Sequence, residues 1–519
     1  MAMAGPASDN TILALQQRIT LGAIALCVVY SAGVMLWASP VSFYTLDDPY
    51  IHMGLAENIV RGHFGVNLGE VSNPSSSILW PWLMAGFEIA GVMLWAPLLV
   101  NIACFAASVW IVVPFALRRM APDGAHVMRA LIVLGLAFLA FNLFGVIFTG
   151  MEHSLHVLLC VVVVTRVIDG RYDGLALAAL ALGPLVRFEG AIILALGVGA
   201  ALYDRKWVFA LAAVALPAAA MGAYALWLTG LGLPMLPSSV LSKSASSSSM
   251  VDGGGGALQG LLASLGENLR QESAVIIAVL AAGMVYAAVK RSGRDRVLAL
   301  GIIGVLLLAL MLGKMNSYGR YEVYVLAVAG LAALHLLQGE LRMVLATPAR
   351  AIMLGVGLLA VAPAGMYAFL TTPQAARNIH RQQYQMHRLI TECWQQPVAI
   401  NDLGWASFRN DAYVLDLYGL GSEEARKARA AGELGWMTEL VEGRSVGAAM
   451  IYTEWFPDRP ETWTHVGDID FTEMRVTIPS PRVAIYATTQ EAIAPLSKCL
   501  EAMADSMPPG SMIQSRTDT

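Results

Sequence analysis

Charge is what this sequence has least of. Only 13% of its 519 residues are Asp, Glu, Lys or Arg, about half the share of an ordinary soluble domain. With 57% hydrophobic residues and a mean hydropathy of +0.61, that scarcity excludes a wholly soluble protein. The net charge of -4, a pI near 6.2 and the lack of any Lys/Arg run leave no basic surface for nucleic acid. Closely spaced cysteines are missing too, which removes zinc-type ligand pairs. Cys27, Cys104 and Cys160 sit inside apolar runs, where buried thiols are ordinary; Cys393 and Cys499 can pair if the tail lies in an oxidising compartment. No stretch reads as a phosphate-cradling loop, a dinucleotide fingerprint or a metal-ligand helix, so a soluble nucleotide donor is not expected.

What is present is apolar length. Ile19–Ala38 reads as a retained first helix, and apolar segments follow near 98–117, 130–148, 153–169, 174–187, 190–203, 207–228, 272–289, 297–313, 320–338 and 351–370. These predict a polytopic bundle of about 11 crossings. From Thr371 onward the composition turns polar, with short alternating stretches such as "PVAIND" and "RVAIYAT". That predicts a soluble α/β or α+β domain over 371–519 behind a membrane domain over 1–370.

Basic residues orient the bundle. Arg118, Arg119 and Arg129 share one short loop, Arg166 and Arg171 a second, and Arg205 and Lys206 a third. Lys290, Arg291, Arg294 and Arg296 share a fourth, and Arg342 and Arg350 a fifth. Placing these inside puts the N-terminus inside as well. The 39–77 loop, the 149–152 turn, the Arg187 turn, the 229–271 loop, the Lys314–Tyr321 turn and the tail then fall outside. The segment 77–94 keeps this parity only if it is re-entrant or interfacial.

The polar residues of the membrane part gather at the outward ends. Asp47 and Asp48 precede "PYIHMGLAENIVRGH", whose Ile51, Leu55 and Ile59 form one helical stripe that can lie flat at the interface. The plainer reading makes one aspartate an N-cap, although capping needs only one carboxylate. Glu152 interrupts two apolar spans, as do Arg187 and Glu189 in "VRFEG", where a purely structural Arg187–Glu189 pair is the alternative. Lys243, ahead of a Ser/Gly-rich stretch expected to be flexible, and Arg320 are candidates to neutralise a phosphate; snorkelling is the alternative for either. An acidic pair, outward cations and an apolar bundle suit a lipid-phosphate substrate.

Taken in order, "TLDDPYIHMGLAENIVRGHFGVNLGEVSNPSSSILW", "TGMEH", "VRFEG", "LPSSVLSK" and "INDLGWASFRNDAYVLDLYGLGSEE" resemble the GT-C superfamily of membrane glycosyltransferases. The likeness is to a bacterial branch that includes mycobacterial-type arabinofuranosyltransferases and pilin-modifying relatives. Phe188, where a proline is usual, and "NPSSS" depart from the pattern and bear on sugar and acceptor identity. The resemblance implies transfer of a single sugar, D-arabinofuranose among the candidates, from a polyprenyl-phosphate donor to a glycan or protein acceptor at the outer face of a bacterial inner membrane, with the tail periplasmic. It implies Asp47 as the base and Asp48 as an orienting carboxylate. Lys243, Arg320 and Arg187 would bind the donor phosphate, and His52, Glu152 and Glu189 the sugar or acceptor. No cofactor or metal ligand is expected; a divalent ion is compatible with the reaction, but a lipid monophosphate needs one less than a diphosphate does. A lipid-linked sugar transporter or flippase, and a ligase using a lipid-diphosphate oligosaccharide, are the alternatives.

Overall fold

The computed structural model describes residues 9–239, 241, 257–315 and 318–516. They form two compact units: Met1–Ser31, Leu98–Ala223 and Val251–Leu370 in the first, Ala32–Pro97, Tyr224–Met250 and Thr371–Thr519 in the second.

The first unit is helical. Among the described residues of the whole chain, six helices are long and apolar enough to cross a bilayer: Leu13–Trp37, Met93–Met120, Val127–Thr149, Trp207–Gly230, Ser273–Lys290 and Gly293–Leu312. Two bent pairs raise the number to eight if each counts as one span: Val323–Leu336 with Gln338–Leu345 at 81°, and Pro348–Val361 with Pro363–Trp394 at 70°. The difference from the expected 11 lies in three shorter apolar helices, His153–Ile168, Gly174–Val186 and Gly190–Tyr203. The last two are separated by the "RFE" turn. At a rise of about 1.5 Å per residue, 13 or 14 residues reach roughly 20 Å, against some 30 Å of hydrocarbon.

All five basic loops meet. Arg119 pairs with Asp169 at 2.8 Å, and Arg342 donates to the Arg119 carbonyl at 2.7 Å. Arg129 donates to the Leu345 carbonyl, Arg291 pairs with Glu340, and Arg294 bridges Asp204 to the Ile168 carbonyl. Residues grouped by the positive-inside rule thus form one hydrogen-bonded layer, which caps carbonyls at helix ends that would otherwise lack partners.

In the second unit, six strands form a mixed sheet: β1 Val398–Ile400, β2 Val414–Asp416, β3 Ala448–Ile451, β4 Thr464–Phe471, β5 Arg482–Ala487 and β6 Ser511–Ser515, in the order β2-β1-β3-β5-β4-β6. The first three are mutually parallel and the rest antiparallel. "PVAIND" and "RVAIYAT" supply β1 and β5. Alternation divides them between two cores. Val398, Ile400, Val483 and Ile485 face Leu389, Trp394, Leu496 and Leu500, while Ala399, Ala484 and Tyr486 face Trp436 and Val441.

The loop after the first apolar helix is built into this domain. Asn67 donates to the Val414 carbonyl and accepts from the Val414 N–H, both at 2.9 Å, and so covers the β2 edge. The helix Asp48–Val60 buries more than the Ile51, Leu55 and Ile59 stripe. Nine of its residues, from Pro49 to Ala56 and Asn58, are buried. Gly54 permits this, because a Cβ there would sit 3.2–3.4 Å from Ser407. The helix Trp80–Ile89 has 10 residues, roughly 15 Å of rise, about half a hydrocarbon crossing.

Cys393 and Cys499 form a disulfide that ties the segment Leu389–Trp394 to the helix Ile493–Ala504. The bond spans 106 residues. A loop of that length constrains the unfolded chain, so reduction should cost roughly 2–5 kcal/mol. Thermal unfolding of the full-length protein with and without reductant measures it; equal Tm values would mean the bond contributes nothing to stability.

Candidate functional site

Asp47 ends the turn that leads into the helix Asp48–Val60, and Pro49 starts that helix in the ordinary way. Its side chain makes no capping bond to its own helix. Instead, Oδ2 accepts from the Gly404 N–H at 2.7 Å and Oδ1 from the Trp405 N–H at 2.9 Å. Those are the first amides of the four-residue helix Gly404–Ser407, so the carboxylate caps an element 357 residues away in sequence. Gly404 is obligatory there: a Cβ would lie 2.1 Å from the Asp47 carbonyl oxygen and 2.4 Å from its carboxyl.

The surroundings are dry. Asp47 is 6% exposed, and the Tyr50 ring stacks on Trp405 at 4.0 Å. Trp405 is itself fixed by its indole N–H to Ser42 at 3.2 Å. Burial pushes the Asp47 pKa well up, the neighbouring Asp402 carboxyl adds to it, and the Trp405 and Gly404 amides only partly offset the rise. Asp48, at the first turn of its helix, is partly exposed.

Asp402 carries the surprise. It belongs to "INDLGW", yet nothing in its local sequence marks it as more than a strand-end aspartate. Its Oδ2 accepts from Gln383 Nε2 at 2.8 Å and from the Tyr452 hydroxyl at 3.0 Å, and its charge helps to raise the Asp47 pKa. The available signal was a polar pair, Asn401 and Asp402, directly after a buried strand. It points to a site at a strand's C-terminal end, but not to its partner.

His52 is buried one turn into the same helix, its Nδ1 3.1 Å from Ser75 Oγ. Ser75 gives its own proton to the Ser77 carbonyl at 2.7 Å, so His52 donates in this pair. The "NPSSS" run thus holds His52 and, through Ser77 Oγ to the Trp80 N–H at 3.1 Å, starts the next helix.

In the first unit the other predicted residues converge. Arg187 donates to Glu152 Oε1 at 2.6 Å and to Glu189 Oε1 at 2.8 Å. The Arg187–Glu189 pair of the plainer reading is therefore a triad, with Glu152 fully buried. Arg320 donates to the Tyr321 hydroxyl at 3.1 Å, and both guanidiniums lie within reach of the Tyr321 ring, at 4.9 and 5.6 Å. Two carboxylates thus share the one Arg187 guanidinium. Lys243 and the Ser/Gly-rich stretch after it lie outside the described residues.

A family model described as "Domain of unknown function (DUF8728)" matches residues 377–486. No curated protein matches the chain. Among solved structures the chain is similar to the Archaeoglobus fulgidus oligosaccharyltransferase, in its complex with zinc and sulfate. The identity is 13% and the TM-score 0.48, over 95% of this chain and 74% of that one.

Proposed function

We propose that the protein is a GT-C-type membrane glycosyltransferase. It moves a single sugar, D-arabinofuranose being the first candidate, from a polyprenyl-phosphate donor to a glycan or protein acceptor. The observation that carries this reading is the Asp47 carboxyl: desolvated, held by two backbone amides, and opening a helix whose sequence resembles the first outer loop of that superfamily. A carboxylate so placed is oriented in advance, and its raised pKa makes it a stronger base than a solvated aspartate.

In this mechanism Asp47 takes the acceptor hydroxyl's proton as the oxygen attacks the anomeric carbon, and Asp48 orients the acceptor or sugar. The phosphate leaves with the bonding electron pair, its charge balanced by cations. Arg320 and Lys243 suit that task better than Arg187, which already serves Glu152 and Glu189. The Glu189 carboxylate, partly exposed, and His52 remain candidates for sugar or acceptor hydroxyls. The Cys393–Cys499 disulfide favours an oxidising compartment for the tail, hence a periplasmic domain on a bacterial inner membrane with the basic layer cytoplasmic.

Two substitutions at Asp47 and Asp48 test the base. Asp47→Asn should lower transfer from a polyprenyl-phosphate pentose by about 10²–10⁴-fold. It should also lower Tm, since an amide offers one acceptor where two N–H groups need two. Asp48→Asn should act mainly on KM. Normal turnover by folded Asp47→Asn protein would remove the base.

The arginines separate by readout. Arg187→Gln leaves Glu152 buried without its counter-charge and should cost roughly 3–5 kcal/mol of stability. Arg320→Gln should weaken donor binding with a smaller change in Tm. Matched thermal unfolding and donor-affinity measurements decide this, and a donor defect confined to Arg187→Gln would reverse the assignment.

A further inference from the structure

The helical unit holds a cavity of about 240 Å³ that the proposed reaction does not use. Phe105, Phe138, Val157, Ile276, Leu331 and Leu358 wall it from six different helices. Ser108 and Ser154 are the polar side chains on its lining, and the Ser108 hydroxyl already donates to the Cys104 carbonyl at 2.9 Å. An apolar cavity of even about 150 Å³ stays dry and takes apolar guests.

The cavity is long and has a direction. Phe105 and Met120 both border it, fifteen residues apart on one helix, which is roughly 22 Å of rise against a hydrocarbon core about 30 Å thick. One end is shut, since Phe141, Leu143, Val146 and Ser154 are all buried. Toward the other end Leu337, Leu341 and Leu354 are partly exposed, and Val279 on the flank is 54% exposed. That open end adjoins the basic layer: Met120 follows Arg119, Val133 lies one turn from Arg129, and Leu341 precedes Arg342. Arg129 donates to the Leu345 and Ala346 carbonyls, and Arg342 to the Arg119 carbonyl and the Gln338 side-chain oxygen. Among the described residues, these hydrogen-bond partners are neutral.

We propose that the cavity binds one acyl chain of an anionic phospholipid, drawn from the leaflet on the side of the basic layer, with the lipid headgroup on Arg129 and Arg342. A chain leaving bulk lipid gains little from burial as such, because its surroundings are apolar before and after. The gain comes from packing against walls that otherwise lack partners, and from charge-assisted bonds between guanidinium and phosphate. The donor's polyprenyl chain is the competing occupant, and the geometry disfavours it. Arg187 follows the helix Gly174–Val186, whose first turn borders the Arg166–Asp173 pair of the basic layer. Arg320 precedes the helix Val323–Leu336, whose last carbonyl accepts from Arg291. Both donor-phosphate candidates therefore lie at the helix ends away from that layer, and a chain hanging from them would have to pass the shut end.

Photolabelling of the full-length protein in detergent tests this. The probe is a phosphatidylglycerol with a diazirine at the tip of one acyl chain. It should label the segments 154–161 and 327–331, which contribute to the cavity wall. A phosphatidylcholine with the same chains should label them at least about five-fold less at equal concentration, the value of one arginine's contact with an anionic lipid, and Arg342→Gln should narrow that gap by about the same factor. Ala137→Phe, which puts a ring on the partly exposed wall, should abolish labelling of both segments; Ala333→Phe replaces it if that protein fails to fold. Equal labelling by the two phospholipids would overturn the headgroup assignment and the proposal with it. Labelling confined to the exposed Ile352 and Met353 would show a chain that never enters. Labelling of the two segments by a diazirine polyprenyl phosphate in preference to phosphatidylglycerol would give the cavity to the donor chain and equally overturn the proposal.

Discussion

The capture of the Asp47 carboxylate by the Gly404 and Trp405 amides organises the second unit. A charge-assisted hydrogen bond contributes about 1.5–3 kcal/mol, and two such bonds offset much of the cost of taking the carboxylate out of water. The geometry is demanding on both sides. Gly404 must lack a side chain, and the helix Asp48–Val60 must lie against Gly404–Ser407, which Gly54 allows. Once that contact exists, Tyr50 stacks on Trp405, and Ile51 joins the core formed by Leu389, Ile400 and Leu496. The loop after the first helix is therefore part of the sheet domain and not a lid laid over it.

Different parts of this arrangement were legible in the sequence to different degrees. Apolar length and alternation are local properties, and they located β1, β5 and the long helices well. The basic loops were grouped correctly because positive charge in short loops reports one physical asymmetry that all the loops share. In the helix Asp48–Val60 the Ile51, Leu55 and Ile59 stripe shows only part of what is buried. Gly54, Ala56 and Asn58 are buried as well, and small or amide residues give no hydrophobic signal of contact.

The least legible residues are those whose meaning is a partner far along the chain. Asp47 and Asp402 are separated by more than 350 positions, and Arg187 and Glu152 by 35. No periodicity connects them. The sequence does show an imbalance: two adjacent aspartates where one cap would do, and a carboxylate between two apolar spans. Each imbalance signals a missing counterpart without identifying it. For Glu152 the counterpart was an arginine already paired in sequence with Glu189, so the turn that reads as a local ion pair is a bridge between two helices.

This dependence on buried charge sets stability against chemistry. A carboxyl whose pKa is raised on folding binds a proton more tightly in the native state than in the unfolded chain. Its stabilising contribution is complete below the unfolded carboxylate range and is lost as pH rises through the native value. Both Asp47 and Asp402 therefore contribute less to the fold at pH values above their raised native range. The compensation must come from groups that do not titrate there: the Gly404 and Trp405 amides, the Gln383 donor and the Cys393–Cys499 bond, which joins the segment beyond Gln383 to the last helix of the domain. The two buried carboxyls can persist at neutral pH because uncharged donors and a covalent link hold the domain together around them.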